Sequence, residues 1–144
     1  MGKILWLTGE AGAGKTTVAK EIQKTWPCII LDGDEMRECV SLGLGYISRE
    51  DRTENYLRIA RLAKVLSRQT NVVISVIAAV EEARRKIDEI CNPCWIYVKR
   101  TMPKREGHFY DKITKYSLLL DHDKLNIKQS VLLLKQWMEG NKIC

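Results

Sequence analysis

The chain of 144 residues has a net charge of +6 and a 45% share of hydrophobic residues, which is the composition of an ordinary globular protein. No apolar run approaches the roughly 20 residues of a membrane span and no signal-peptide pattern is present at the start, so we expect a cytoplasmic protein without a membrane partner. A chain of this length can bury a genuine core, and we expect residues 1–144 to form a single domain. The positive charge favours anionic partners, and either nucleotides or nucleic acid would satisfy it.

The first predicted strand, residues 3–8, is apolar enough to be buried on both faces, as in a parallel sheet. Residues 9–16 read GEAGAGKT and match the phosphate-binding P-loop pattern, G-x-x-x-x-G-K-[ST], between a strand and a helix. The glycines let successive backbone N–H groups form a nest for phosphate oxygens, and the helix dipole places its positive end behind them. A glycine-rich turn with a chance lysine is the alternative, which the complete pattern and its flanks disfavour.

The P-loop predicts binding of a nucleoside triphosphate. Lys15 supplies a positive charge to the β- and γ-phosphates, and the Thr16 hydroxyl suits a Mg²⁺ ligand. We therefore expect ATP as a substrate and Mg²⁺ as the cofactor. The residues expected to bind ATP are Gly9, Gly12, Ala13, Gly14, Lys15, Thr16 and Thr17.

Two carboxylates follow the second predicted strand, residues 28–31. Because ligands of open α/β sheets bind beyond the carboxyl ends of the strands, Asp32 and Asp34 are expected to face the same crevice as the P-loop. This layout favours a kinase over a switch or motor, since one acid can organise Mg²⁺ while the other accepts the proton of an attacking hydroxyl. A simple Asp-Gly turn is the alternative. The candidate catalytic residues are Lys15, Asp32 and Asp34, and the candidate metal ligands are Thr16 and Asp32.

The remaining chain continues to alternate helices and strands. Helices are predicted from the P-loop to about residue 25 and over residues 35–41, 49–68, 80–90 and 127–138, and further strands over residues 72–77, 95–98 and 117–120. Ser48 and Asn126 are the expected N-caps, and the charges of the 80–90 helix allow i,i+4 pairing on its surface. The alternation predicts a three-layer α/β fold of the P-loop nucleoside-triphosphatase or nucleoside-kinase type, with a mostly parallel five-stranded sheet. Residues 99–116 form a basic stretch without a clear element.

The five cysteines include a C-x-x-C spacing, Cys91 to Cys94. No second cysteine or histidine pair follows to complete a zinc site. We expect reduced, incidental thiols in a turn, with a redox role as the alternative.

Three linked motifs resemble the adenylylsulfate kinase family. They are LDGDEMR at residues 31–37, SREDRTENYLRIARLAK at residues 48–64 and LDHDKL at residues 120–125, which is similar to the family's LDTDKL. The resemblance covers residues 3–98 and resumes at residue 120. It implies transfer of the ATP γ-phosphate to the 3′-hydroxyl of adenosine 5′-phosphosulfate, a step of sulfate activation.

The resemblance also implies an acceptor site. Asp34 would be the carboxylate nearest the 3′-hydroxyl, with Asp32 supporting Mg²⁺ or the loop. The residues that would hold the acceptor are Arg37, Arg52 and Asn55 on its phosphosulfate and sugar, Ile77 on its adenine, and either Tyr46 or Ile47 in place of the family's stacking phenylalanine. Surface charges for the arginines, and a plain core residue for Ile77, are the alternatives.

Two departures from the family bear on the acceptor. The family's Ser-Pro pair is replaced by Ala78 and Ala79, and the family's lid between the fourth strand and LDTDKL is much longer than here. Only Arg105 and residues 107–112 could stand in for that lid. A related kinase acting on another nucleotide or nucleotide-linked metabolite therefore stays open, and so does a degenerate module that binds ATP without turnover. A polynucleotide 5′-kinase using the basic 99–115 segment is disfavoured because few aromatic residues are available to stack on bases. A homodimer is compatible with the sequence, which does not decide the oligomeric state.

Overall fold

The computed structural model describes residues 1–45 and 47–143. Strands and helices alternate along these residues as β1 Ile4–Thr8, α1 Lys15–Gln23, β2 Cys28–Asp32, α2 Gly33–Cys39, α3 Arg49–Leu66, β3 Asn71–Ser75, α4 Glu81–Ile90, β4 Cys94–Lys99, β5 Leu118–Asp121 and α5 Ile127–Gly140. The strands form one sheet in the order β2-β3-β1-β4-β5, and every neighbouring pair is parallel. The predicted α/β fold with a five-stranded parallel sheet is confirmed.

The central strand β1 connects two apolar layers. Leu5, Trp6 and Leu7 are all 0% exposed, and because successive side chains of a strand point to opposite faces, they divide between two clusters. Trp6 joins the cluster formed with α3 and α4, whereas Leu5 and Leu7 join the cluster formed with α1 and α5. The burial of β1 on both faces is the reason why the P-loop that follows it starts from a rigid position.

Strand β3 ends at Ser75, two residues earlier than predicted. Beyond it, the carbonyl of Val76 accepts a hydrogen bond from Trp6 Nε1 at 3.0 Å, and that of Ile77 accepts one from Thr8 Oγ1 at 2.6 Å. Side chains of β1 thus donate hydrogen bonds to two backbone carbonyls that lie just beyond the end of β3. The chain then turns at Ala78, which has a φ of 51°.

The predicted N-caps are confirmed. The Ser48 side chain accepts a hydrogen bond from the Asp51 N–H at the start of α3, and Asn126 and Gln129 form a reciprocal capping box at the start of α5. Helix α2 begins two residues earlier than predicted because the Asp32 carboxylate caps it, accepting from the backbone N–H groups of Asp34 and Glu35.

The stretch between β4 and β5, residues 100–117, contains neither helix nor strand and is called the lid segment. Its second half is fixed by Arg84, which is buried. The Arg84 guanidinium donates to the carbonyls of Ala78 at 2.8 Å and Asp111 at 2.7 Å, and it lies 4.7 Å from the Tyr110 ring centre. The lid segment is consequently held against the start of α4.

The two cysteines of the C-x-x-C spacing lie on opposite faces of the sheet. Cys91 packs on the α3 and α4 side and is free, and burial raises its pKa to about 12. Cys94 packs on the α1 and α5 side and is disulfide-bonded. The expectation of reduced thiols is right for Cys91 and wrong for Cys94, and the two cysteines of the C-x-x-C spacing do not pair with one another.

Among the described residues, none of the helices combines the length and apolar character that crossing a bilayer requires.

Candidate active site

A cavity of about 770 Å³ opens beside the P-loop at the carboxyl ends of β2 and β3, where ligands of parallel sheets bind. It brings together nine of the residues singled out from the sequence: Gly12, Lys15, Thr16, Asp32, Asp34, Arg37, Arg52, Asn55 and Ile77. Four predicted ATP-binding residues, Gly9, Ala13, Gly14 and Thr17, lie outside this lining. Two groups of residues in the cavity are named below by their content: the P-loop half contains Lys15, Thr16 and Asp32, and the arginine half contains Asp34, Arg37, Arg52 and Asn55.

All three P-loop glycines, Gly9, Gly12 and Gly14, have a positive φ, and two of them illustrate why the loop needs glycine. A Cβ at Gly9 would lie 2.2 Å from the carbonyl oxygen of Val98, so the loop leaves β1 in contact with β4. Gly14 caps α1 in the left-handed region at a φ of 103°, which glycine adopts without steric cost. These requirements explain why the glycine spacing in the sequence was a reliable signal.

Lys15 is buried in the P-loop half, with 7% of its surface exposed. Its Nζ donates to the carbonyl of Glu10 at 2.7 Å. Burial lowers its pKa to about 8, and the nearby carboxylates of Asp32, Glu10 and Asp34 oppose the shift. The amine is therefore still mostly charged at neutral pH and lies at the cavity wall, where an anionic ligand would raise its pKa again.

Three oxygen-bearing side chains meet at the base of the cavity. Thr16 Oγ1 donates to Asp32 Oδ1 at 3.2 Å and lies 2.9 Å from Ser75 Oγ. Asp32 thus both caps α2 and contacts the P-loop threonine. Ser75 was missed by sequence reasoning, although a polar residue at the end of a β-branched strand was an available signal.

Asp34 and Arg37 form an ion pair across one turn of α2 in the arginine half. Arg52, from the first turns of α3, donates to the carbonyl of Gly107 in the lid segment at 3.0 Å. Asn55 is 6% exposed, and among the described residues no group donates a hydrogen bond to its Oδ1. A buried acceptor without a partner costs free energy, so this amide suits a ligand N–H or O–H.

Phe109 brings the lid segment to the arginine half. The guanidinium carbons of Arg49 and Arg52 lie over its ring, at 4.9 and 4.6 Å from the ring centre. Arg49 also pairs with Asp111 at 2.7 Å, and this hydrogen bond is the main reason why the pKa of Asp111 is lowered. Phe109 and its neighbour His108 both line the cavity. The segment 107–112 therefore contributes to the wall of the cavity beside the arginine half.

The sequence left two alternatives for a stacking residue, Tyr46 and Ile47. Ile47 is 79% exposed and does not line the cavity, and Tyr46 lies outside the described residues. Ile77 lines the cavity and is partly buried. Arg105 points to the P-loop instead, with Nη2 at 3.5 Å from the carbonyl of Ala11.

Comparisons with known proteins place these residues in context. A model of the adenylylsulphate kinase family matches residues 1–111. The adenylyl-sulfate kinase of Myxococcus xanthus is 37% identical over 100 residues, which cover 66% of this chain and 54% of the relative. That of Chloroflexus aurantiacus is 40% identical over 92 residues, covering 60% and 49%. The chain spans about half the length of the curated relatives that it matches.

Among solved structures, a mutant of the APS kinase CysC of Mycobacterium tuberculosis is 26% identical, has a TM-score of 0.78, and covers 96% of this chain and 97% of its own. Because it covers 96% of this chain, the likeness extends beyond residue 111.

Proposed function

The chain belongs to the adenylylsulfate kinase family, and on that premise we propose that it transfers the γ-phosphate of ATP to the 3′-hydroxyl of adenosine 5′-phosphosulfate. One observation supports this most directly: a single cavity joins a P-loop to two arginines and a buried asparagine oxygen without a donor. The P-loop half suits the triphosphate. The arginine half suits a second anionic ligand, since guanidinium groups bind phosphate and sulfate oxygens as planar forks.

In the P-loop half, the backbone N–H groups would cradle the phosphates of ATP, and Lys15 would place its charge at the β- and γ-phosphates. The Nζ of Lys15 now donates to the Glu10 carbonyl, and this neutral acceptor can be exchanged for a charged phosphate oxygen. The buried position of the amine excludes water from that contact, which strengthens it. Lys15 would therefore stabilise the negative charge that shifts during transfer.

The oxygen atoms at the base of the cavity fit Mg²⁺. Thr16 and Asp32 offer a hydroxyl and a carboxylate in contact, and Mg²⁺ in kinases typically takes one or two such ligands, with water and phosphate oxygens completing the octahedron. We propose that Thr16 and Asp32 hold the ion, with Ser75 orienting Thr16. Bound there, Mg²⁺ would neutralise charge on the β- and γ-phosphates.

In the arginine half, Asp34 would accept the proton of the attacking hydroxyl. The oxygen of that hydroxyl forms a bond to the γ-phosphorus, the bond from this phosphorus to the leaving oxygen of ADP breaks, and the proton moves to the Asp34 carboxylate. Arg37 and Arg52 would hold the acceptor's phosphosulfate. Asn55 Oδ1 would accept a hydrogen bond from the acceptor, which would supply the donor that it lacks.

A nucleotide panel tests the acceptor. ADP release is measured with ATP and each candidate, and ³¹P NMR locates the new phosphate. We expect stimulation by adenosine 5′-phosphosulfate and a new 3′-phosphomonoester. Stimulation by another nucleotide alone would show that the acceptor is not adenosine 5′-phosphosulfate, while still supporting ATP-dependent kinase activity. Phosphate transfer to the 5′ end of an oligonucleotide, together with oligonucleotide binding that weakens steeply as salt rises, would indicate a polynucleotide kinase instead.

We also propose that residues 1–144 are one kinase domain and that the protein works in the cytoplasm, and a homodimer is compatible with the sequence. Light scattering of the purified protein tests the homodimer, and a mass of one chain would contradict it.

A further inference from the structure

His122 lies behind the P-loop, directly after β5. Its Nδ1 is 2.6 Å from the carbonyl oxygen of Ala13, and its Nε2 is 2.8 Å from Ser130 Oγ. Its backbone N–H donates to the carbonyl of Lys99 at 2.8 Å. The function proposed above uses none of these contacts, and the family motif LDTDKL has threonine where this chain has His122.

The partners of His122 determine which nitrogen bears the proton. A carbonyl oxygen can only accept, so Nδ1 must donate to Ala13. In the neutral ring Nε2 is then the acceptor, and the Ser130 hydroxyl donates to it. Ser130 is 0% exposed and lies in the first turns of α5, so the ring is fixed from behind by a helix whose start is itself capped.

The contact with Ala13 orients a peptide of the P-loop. The Ala13 carbonyl and the Gly14 N–H belong to one planar trans unit and point in opposite directions. Holding the carbonyl towards His122 therefore directs the Gly14 N–H away from the ring. We propose that His122 is a positioning residue that keeps the Gly14 N–H directed at the phosphates of the bound nucleotide.

The packing around Gly14 supports this assignment. A Cβ at Gly14 would lie 2.9 Å from His122 Nδ1 and 3.4 Å from the side chain of Ile127. The ring is therefore in close contact with the peptide that it orients. The left-handed φ of 103° at Gly14 is accessible to glycine, and glycine is also the residue most free to leave it. A fixed partner for the Ala13 carbonyl is thus needed most at this position.

Two near-isosteric substitutions separate the two contacts of the ring. In His122→Asn the amide NH₂ can replace Nδ1 and donate to Ala13, whereas in His122→Gln the longer amide reaches the position of Nε2 and Ser130. Binding of ATP with Mg²⁺ is measured by calorimetry for both variants, for His122→Ala and for the unaltered protein. We expect His122→Asn to bind within about threefold of the unaltered protein. His122→Gln and His122→Ala should bind about tenfold more weakly, because the Gly14 N–H would lose its hydrogen bond to a charged phosphate oxygen.

This inference rests on nucleotide binding at the P-loop, which is part of the proposed function, and is independent of the acceptor. If the unaltered protein binds no ATP, the proposed function fails. If it binds ATP and the asparagine and glutamine variants bind equally well or equally poorly, the role of His122 is overturned. The KM for the acceptor should be unchanged in all three variants, and a parallel rise in both KM values would instead indicate a general loss of structure. If His122→Ala does not fold, the comparison of His122→Asn with His122→Gln still tests the role of His122.

Discussion

The P-loop half and the arginine half of the cavity differ in how far their charges are removed from water. Lys15 is 7% exposed and donates to a backbone carbonyl, and the nearby Asp32 carboxylate accepts from Thr16 and from two backbone N–H groups. In the arginine half, the Asp34 side chain is 83% exposed and its partner Arg37 36%. Asn55 in that half retains a buried oxygen without a donor.

This difference indicates that the two halves bind in different ways. Groups held in a low-dielectric site before the ligand arrives need little rearrangement when it binds, which strengthens their effect on charge. Exposed ion pairs contribute only about 0–1 kcal/mol, so Asp34 and Arg37 can separate from one another at small cost. The P-loop half is thus held largely in place before a ligand arrives, with the Lys15 contact to the Glu10 carbonyl to exchange, whereas the arginine half can exchange the ion pair of Asp34 and Arg37 for a ligand.

The largest expected effect comes from Lys15. Lys15→Ala should lower kcat by about 10³, because the charge acts on the transferred phosphate in a buried site. The fold should remain, since removing a buried charge takes away a desolvation cost. Steady-state kinetics and circular dichroism test both statements. A loss confined to KM for ATP would show that Lys15 only binds the ground state.

A smaller loss is expected for the exposed carboxylate of the arginine half. Asp34→Asn should lower kcat by about 10² while ATP binding stays within a few fold, since the amide keeps the shape and cannot accept the proton. Asp51→Asn is a matched control, because Asp51 lies on the neighbouring helix and accepts from the Gly45 N–H outside the proposed chemistry. Equal losses in the two variants would contradict a role of Asp34 as the base.

Arg52 tests whether the arginine half binds the acceptor separately. Arg52→Ala should raise the KM for the acceptor about 10- to 30-fold by removing a charge-assisted contact, and Arg52→Lys should recover only part, since lysine lacks the planar fork. The KM for ATP should not change. An equal rise for both substrates would show that the two halves do not act independently.

Most of the P-loop half could be predicted from the sequence because its contacts form within short motifs. The nest, Lys15 and Thr16 lie on one loop, and Asp32 ends the next strand. Ser75 is the exception, since it reaches Thr16 only through the pairing of β1 with β3.

The arginine half could be predicted only in part because its contacts join distant segments. Arg52 meets Gly107 across 55 positions, and Phe109 is placed by two arginines and by the Arg49–Asp111 pair. The helical spacing of Arg84 says nothing about the carbonyls of Ala78 and Asp111 that it satisfies. Motif alignment left Tyr46 or Ile47 as the stacking residue, and of these Ile47 is 79% exposed.

Because Lys15 is buried, the pH dependence of ATP binding is a further test of the difference between the two halves of the cavity. Burial lowers the Lys15 pKa to about 8 in the free protein, so the amine loses its charge as pH rises through 8. A bound phosphate would raise that pKa, and ATP binding above pH 8 must therefore take up a proton. We expect the Kd for ATP to rise about tenfold between pH 7 and pH 9, because about nine-tenths of the free amines are neutral one pH unit above their pKa.

Calorimetry in two buffers of different ionisation enthalpy measures this proton uptake directly. Lys15→Arg is the control, since a guanidinium stays charged throughout this range. Its affinity is expected to be nearly constant from pH 7 to pH 9, and the phosphates of ATP are already ionised there because their second pKa is about 6. The same loss of ATP affinity in Lys15→Arg would show that the titrating group is not Lys15. A loss of affinity for the acceptor above pH 8, without a loss of affinity for ATP, would show that the titrating group lies in the arginine half. That result would contradict the difference in burial between the two halves.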